Sequence, residues 1–173
     1  MPDEYLLKIC IIGTPNELKT KMNRAFCGYQ TDDTTQLCLG VEILIKQIQV
    51  TGNNIKLILV DTSGKDFFGK NRPSYYRGAS AAIITFAKED RTSFKAVKDW
   101  YKEFKRYIPE SSVPIALVGF ITESETVTTA EGQNLADELR VLYYESKPTD
   151  KKTVETICHD LIIEVLRFKS EFL

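Results

Sequence analysis

Apolar positions along the chain switch between two spacings. Tyr5–Ile12 is a short apolar run closed by Gly13, with the length and β-branching of a buried strand. Val41–Val50 and Ile55–Val60 share that character, and Thr51-Gly52-Asn53-Asn54 between them is turn chemistry, so a hairpin is predicted. Ala81–Phe86, Val113–Val118 and Val141–Tyr144 complete six predicted strands. Elsewhere the spacing is helical. Phe94, Val97, Trp100, Tyr101, Phe104 and Tyr107 recur behind the polar start Asp90-Arg91-Thr92. Thr128 followed by Glu131 reads as a capping box, and Val154, Ile157, Leu161, Ile162, Val165 and Phe168 mark a long closing helix. Strands alternating with helices imply right-handed crossovers. The expected fold is α/β, a six-stranded, mostly parallel sheet with one antiparallel edge hairpin and helices on both faces.

The chain has 173 residues, and no repeat, linker or low-complexity tract divides it, so a single domain over residues 1–173 is expected. With 43% hydrophobic and 27% charged residues it is not a disordered chain, and a core of ordinary size needs no metal or disulfide staple. The balance of 23 Lys and Arg against 24 Asp and Glu argues against a nucleic-acid partner. Cys10, Cys27, Cys38 and Cys158 form no CxxC pair, which fits reduced thiols in a cytoplasmic protein. No apolar run is long enough to span a membrane, the start lacks a basic secretory signal, and the last residues hold no cysteine to prenylate. No intrinsic membrane anchor is therefore expected. His159 and the set Lys98, Asp99, Lys102 and Glu103 read as solvated helix positions, the charges forming i,i+4 pairs, whereas Trp100 and Tyr101 read as core.

Candidate chemistry begins where the first strand ends. Gly13-Thr14-Pro15-Asn16-Glu17-Leu18-Lys19-Thr20 reads GxxxxLKT against the phosphate-loop pattern GxxxxGK[ST]. In that pattern, backbone N–H groups surround the phosphates, the lysine meets the outer ones and the hydroxyl holds Mg²⁺. The competing reading is an ordinary strand-to-helix turn with a surface lysine.

Downstream stand Ile58-Leu59-Val60-Asp61-Thr62-Ser63-Gly64, then Ser74-Tyr75-Tyr76-Arg77-Gly78-Ala79, then the helical stretch from Ser93-Phe94 through Trp100 to Tyr107. The first is similar to a hydrophobic strand followed by DTAG, the second to an SYYRGA signature and the third to the helix after it. In these the chain resembles the Ras superfamily of small GTPases, and most of all its Rab branch. The resemblance runs from Tyr5 to about Phe168 and implies the small G-protein fold. It also implies a nucleotide site. Gly13 would open the loop, Lys19 would neutralise phosphate oxygens, Thr20 and Asp61 would hold Mg²⁺, the Gly64 N–H would point at the terminal phosphate, and Glu123 would stand at the base-reading carboxylate.

Departures from the family pattern point the other way. Pro15 has no N–H to donate, Leu18 brings a Cβ where the loop uses glycine, and Glu17 adds a carboxylate. Cys38 stands where the family's switch threonine closes over Mg²⁺, a poor ligand for a hard cation unless Thr34 or Thr35 takes its place. Lys65 occupies the position of the glutamine that orients the attacking water, and an ammonium has only donors. The family's NKxD appears as Phe120-Ile121-Thr122-Glu123 and its SAK as Lys147-Pro148-Thr149; Thr31 replaces the ring that stacks on the base, with Tyr29 the nearby substitute. Four such losses at ~1.5–3 kcal/mol each remove roughly 6–12 kcal/mol of binding.

The expected function is therefore that of an atypical Rab-like regulatory module that binds a protein partner. GTP or GDP with Mg²⁺ would bind weakly or not at all, and hydrolysis would be very slow or absent. The alternative is a working GTP-binding switch with unusual motifs, in membrane trafficking or signalling. By alignment, partner contacts would come from the hairpin and the segment after Gly64, where Ile43, Val60 and Tyr75 match three apolar side chains the family exposes. Lys19 is further expected to pair with Asp61, lowering the pKa of Asp61 and raising its own.

Overall fold

The computed structural model describes residues 4–14, 16–29, 40–62 and 70–170. In chain order the elements are β1 (Glu4–Gly13), α1 (Asn16–Cys27), β2 (Val41–Val50), β3 (Asn53–Thr62), α2 (Arg72–Tyr76), β4 (Ala81–Ala87), α3 (Arg91–Tyr107), β5 (Ile115–Phe120), α4 (Thr129–Leu139), β6 (Leu142–Ser146) and α5 (Lys151–Ser170). The six strands form one sheet in the order β2-β3-β1-β4-β5-β6. As expected, the β2–β3 edge pair is antiparallel and the other pairs are parallel.

β1 explains why the sheet is covered twice. Leu7, Ile9 and Ile11 face one core with Met22 and Phe26 of α1 and the apolar stripe of α5. Cys10 and Ile12 face the other, with Tyr76 of α2, Val97, Trp100 and Phe104 of α3, and Leu135 and Ala136 of α4. A strand apolar on both faces can only be an interior one. Because the neighbours of β1 connect in opposite directions along the sheet, its C-terminal end lies at a switch point, where open α/β sheets place their ligands.

Local chemistry sets the boundaries. Asp90 caps α3 by accepting from the Thr92 N–H at 2.8 Å, and Thr128 and Glu131 form the reciprocal capping box of α4. Arg140 ends α4 in the left-handed region, at φ 56°. The hairpin is tighter than its composition implies. Thr51 and Gly52 both have positive φ, 49° and 81°, so the turn is the two-residue type I′ and Asn53 already pairs with Val50. β5 begins two residues later than Val113 and runs on to Phe120, since pairing with both β4 and β6 carries it through Gly119. The short helix α2 has no apolar repeat to announce it; Pro73 starts it and buried Arg72 and Tyr76 hold it. Among the described residues, no helix is long and apolar enough to cross a membrane.

Candidate functional site

Gly13 ends β1 with φ 107°, and a Cβ there would lie 2.4 Å from the Thr85 carbonyl oxygen. Only glycine allows β1 to leave the sheet so close to β4. The chain then enters α1, which carries Lys19 and Thr20, while β3 delivers Asp61 and Thr62 from the neighbouring strand.

Lys19 is fully buried and is not the surface lysine of an ordinary turn. Its ammonium donates to the Thr62 carbonyl oxygen and lies 3.4 Å from Asp61 Oδ1. Thr20 donates its hydroxyl to Asp61 Oδ2 at 2.8 Å. The expected pair is thus present, but the expected pKa shifts are reversed. Burial pushes the Asp61 carboxyl up, and Lys19, the Thr20 hydroxyl and the Asn23 amide only partly pull it back. Burial likewise lowers Lys19 against the opposing pull of Asp61. Desolvation outweighs the mutual attraction because the two side chains are 0% and 1% exposed.

Asn23, one helical turn beyond Thr20, was not singled out by the sequence. Its amide is buried beside Asp61 without a completed hydrogen bond at either atom, and Asp61 Oδ1 is also without one. Buried polar atoms in this condition are costly. The cluster offers oxygens from Thr20 and Asp61, the hard donors that suit Mg²⁺, so these two residues fit that ion.

Other departures are now placed. Leu18 packs against the first core, so its side chain is directed into the protein, and Glu17 is exposed. Phe120 is 0% exposed in the first core and presents no polar group. Glu123 is exposed on the segment after β5, and Pro148 sits inside a turn closed by the Asp150 N–H on the Lys147 carbonyl at 3.0 Å. Tyr29 is 56% exposed. Pro15, Thr31, Thr34, Thr35, Cys38, Gly64 and Lys65 lie outside the described residues.

The segment bearing Glu123 is fastened by a residue the pattern did not reveal. Lys88, at the end of the apolar run of β4, is 1% exposed; its ammonium meets Glu145 at 2.9 Å and Glu125 at 3.0 Å. Burial lowers its pKa, but bonds to the two carboxylates together outweigh that and raise it. Its carbonyl oxygen also accepts from Thr126 and Val127.

On the proposed contact face, Ile43 is 56% exposed, as expected. Val60 is not: at 3% exposure it lies in the second core, because β3 is an interior strand and Val60 faces Cys10 and Tyr76 beneath α2. Tyr75 is half-buried against the same core. The residue that joins Ile43 in solvent is Ile45, two positions along the edge strand and 52% exposed. The charges of α3 also differ from expectation. Glu103 takes the Arg72 guanidinium at 2.9 and 3.0 Å and the Tyr76 hydroxyl at 2.7 Å, and Lys98 reaches Glu138 of α4, in place of pairs along the helix. His159 is half exposed and lies 3.5 Å from Asp160.

A glycine-ended first strand, a lysine and hydroxyl at the start of the following helix, and an aspartate at the end of the adjacent strand define a phosphate-loop G-domain arrangement. Comparison with known proteins agrees. The Ras family model matches residues 8–167. Among relatives, the chain is 35% identical to the Ras-related protein RABD1 of Arabidopsis thaliana over 155 residues, 88% of this chain and 75% of that protein. It is 30% identical to the Ras-related protein Rab-18 of Caenorhabditis briggsae over 163 residues, covering 93% and 81%. It is 29% identical to RabQ of Dictyostelium discoideum over 167 residues, covering 95% and 81%. The chain belongs to the Ras family of small GTPases, in its Rab-like branch. Members of this family bind GTP or GDP with Mg²⁺ and act through protein effectors.

Proposed function

We propose that this chain is a partner-binding regulatory G domain that holds guanine nucleotide weakly or not at all and hydrolyses it very slowly or not at all. The observation that carries this reading is the inward commitment of Lys19 to Thr62 and Asp61. For the ammonium to serve a phosphate it must give up both partners, and the released Asp61 charge would stay buried. Phe120 and Pro148 support the same reading, since neither can supply the polar contact the family makes to the base. Partner contact falls to the hairpin, through Ile43, and to the segment after Gly64, through the half-buried Tyr75. Likeness to Rab proteins supports a role in vesicle trafficking or signalling.

One observation favours the rival, a working nucleotide switch. Thr20 and Asp61 keep their oxygens adjacent, and beyond its ion pair with Lys19 the Asp61 Oδ1 atom accepts no hydrogen bond, so a lysine turned outward to phosphate would leave that oxygen for a divalent cation. The two readings separate on one experiment. The purified chain is denatured and released nucleotide identified, then the refolded chain is titrated calorimetrically with GTP and GDP in Mg²⁺. No stoichiometric nucleotide and binding no tighter than about millimolar supports the module; micromolar or tighter binding establishes the switch.

A further inference from the structure

Among the described residues, β2 pairs with β3 on one side and with no strand on the other. The hairpin turn sets which main-chain groups that outer edge presents. A type I′ turn closes on a pair that exchanges both backbone hydrogen bonds, here Val50 and Asn53. Since backbone groups alternate along a strand, even-numbered residues of β2 bond to β3, while Val41, Ile43, Ile45 and Gln47 direct N–H and C=O outward.

Proteins usually protect such an edge with proline, a bulge or an outward lysine. β2 contains no proline, and its register with β3 runs unbroken from Val41↔Thr62 to Val50↔Asn53. Its one lysine, Lys46, is turned onto the end of α1, where it donates to the Phe26 carbonyl at 2.6 Å. Ile43 and Ile45 stand more than half exposed on one face.

We propose that this edge is a self-association surface, on which β2 of a second copy of the chain pairs antiparallel about a two-fold axis through Leu44. In that register Ile43 faces Ile45 of the second copy, both with outward backbone groups, so the pair exchanges hydrogen bonds and four isoleucines pack on one face. On the opposite face Glu42 stands across from Lys46 of the second copy. Their side chains keep 18% and 19% of their exposure beside their internal partners, Arg24 for Glu42 and Glu155 for Lys46. Charge selects the register. An axis through Glu42 or Lys46 sets like charges opposite each other, and an axis through Ile43 or Ile45 sets a charge opposite Leu44. Only the axis at Leu44 opposes unlike charges, the arrangement that stabilises a strand pair. The surface is independent of nucleotide and takes up Ile43, so a self-associated chain cannot offer that residue to another partner.

Sedimentation equilibrium of the purified chain over a wide concentration range tests this without any partner or nucleotide. A reversible dimer is expected. Ile43→Lys and Ile45→Glu should each weaken it by about tenfold or more, since each breaks the apolar quartet. Mixing the two variants should restore association, because the introduced ammonium and carboxylate then face each other across the axis. Both positions are exposed, and unchanged melting curves of the separate variants confirm that they fold. A monomer at every concentration, a dimer indifferent to both substitutions, or a mixture that associates no better than its components overturns the proposal.

Discussion

Lys19 Nζ lies 3.4 Å from Asp61 Oδ1, with the two side chains 0% and 1% exposed. Burying both charges costs several kcal/mol each, and their attraction returns that only where every remaining polar atom is satisfied. Here Asp61 Oδ1 and both amide atoms of Asn23 are not. Lys19→Met alone should therefore lower stability by about 3–5 kcal/mol, because it leaves the Asp61 charge buried and unpaired. Lys19→Met with Asp61→Leu should recover most of that loss. Urea denaturation of the wild type, both single variants and the double variant measures the coupling. A double variant no more stable than Lys19→Met would show that the cluster stabilises the fold by more than this one pair.

The same pair has a pH signature opposite in sign to that of an ordinary ion pair. Because burial raises the Asp61 pKa, the folded chain holds that proton more tightly than the unfolded chain. Its contribution to stability is complete below the ordinary value of 3.8 and is lost as pH rises through the raised folded value. Glu145 behaves the other way. Burial raises its pKa, but bonds from Lys88 and Tyr143 outweigh burial and lower it, so its contribution is present above 4.5 and is lost on acidification. Between about pH 7 and pH 4, the Tm of the wild type should rise relative to Asp61→Asn and fall relative to Glu145→Gln. Parallel trends for the two variants would contradict the assignment.

Arg72 joins α2 to α3. Its guanidinium is held by Glu103, which also accepts from Tyr76, and lies 4.8 Å from the centre of the Trp100 ring. Glu103→Gln removes the charge that makes these bonds strong and should cost about 1–2 kcal/mol, the lower part of the range for charged hydrogen bonds because Glu103 remains partly solvated. Tyr76→Phe should cost less, and the two effects should not add, since both act on one carboxylate. Denaturant midpoints of the two single variants and the double variant test this.

What could be read from the sequence divides along physical lines. The mostly parallel sheet, its edge hairpin and the helices on both faces were legible because strand and helix spacings alternate along the chain, whereas the order of the strands came only with the structure. The caps at Asp90 and Thr128 were legible because capping is local. Val60 was not, because alignment places a residue on a strand without saying which neighbours cover it. Glu103 was misread as a helix-surface charge because its partner, Arg72, is 31 residues away in the chain. Lys88 gave no signal beyond a lysine closing an apolar run, since both carboxylates that justify its burial come from other segments. For Lys19 and Asp61 the contact was foreseen but the direction of their titration was not, because desolvation depends on depth and periodicity reports only sidedness.

Nucleotide dependence of stability gives the last prediction. A ligand that binds only the folded chain raises stability by RT ln(1 + [L]/Kd), so about 4 kcal/mol is gained at a thousandfold excess over Kd. A chain whose loop lysine is already committed to Thr62 and Asp61 gains little, since phosphate must displace two partners before it adds one. Millimolar GTP or GDP with Mg²⁺ should therefore shift Tm by no more than about a degree or two, within the shift produced by Mg²⁺ alone. Thr20→Ala, which removes the hydroxyl bonded to Asp61, should lower Tm equally with and without nucleotide. A rise of ten degrees with Mg·GTP that vanishes in Lys19→Ala would instead mean that the lysine turns outward to phosphate. The inward pair would then be one state of a working switch, and Asp61, freed of Lys19, would be the residue to test for Mg²⁺ binding by isothermal titration of Asp61→Asn.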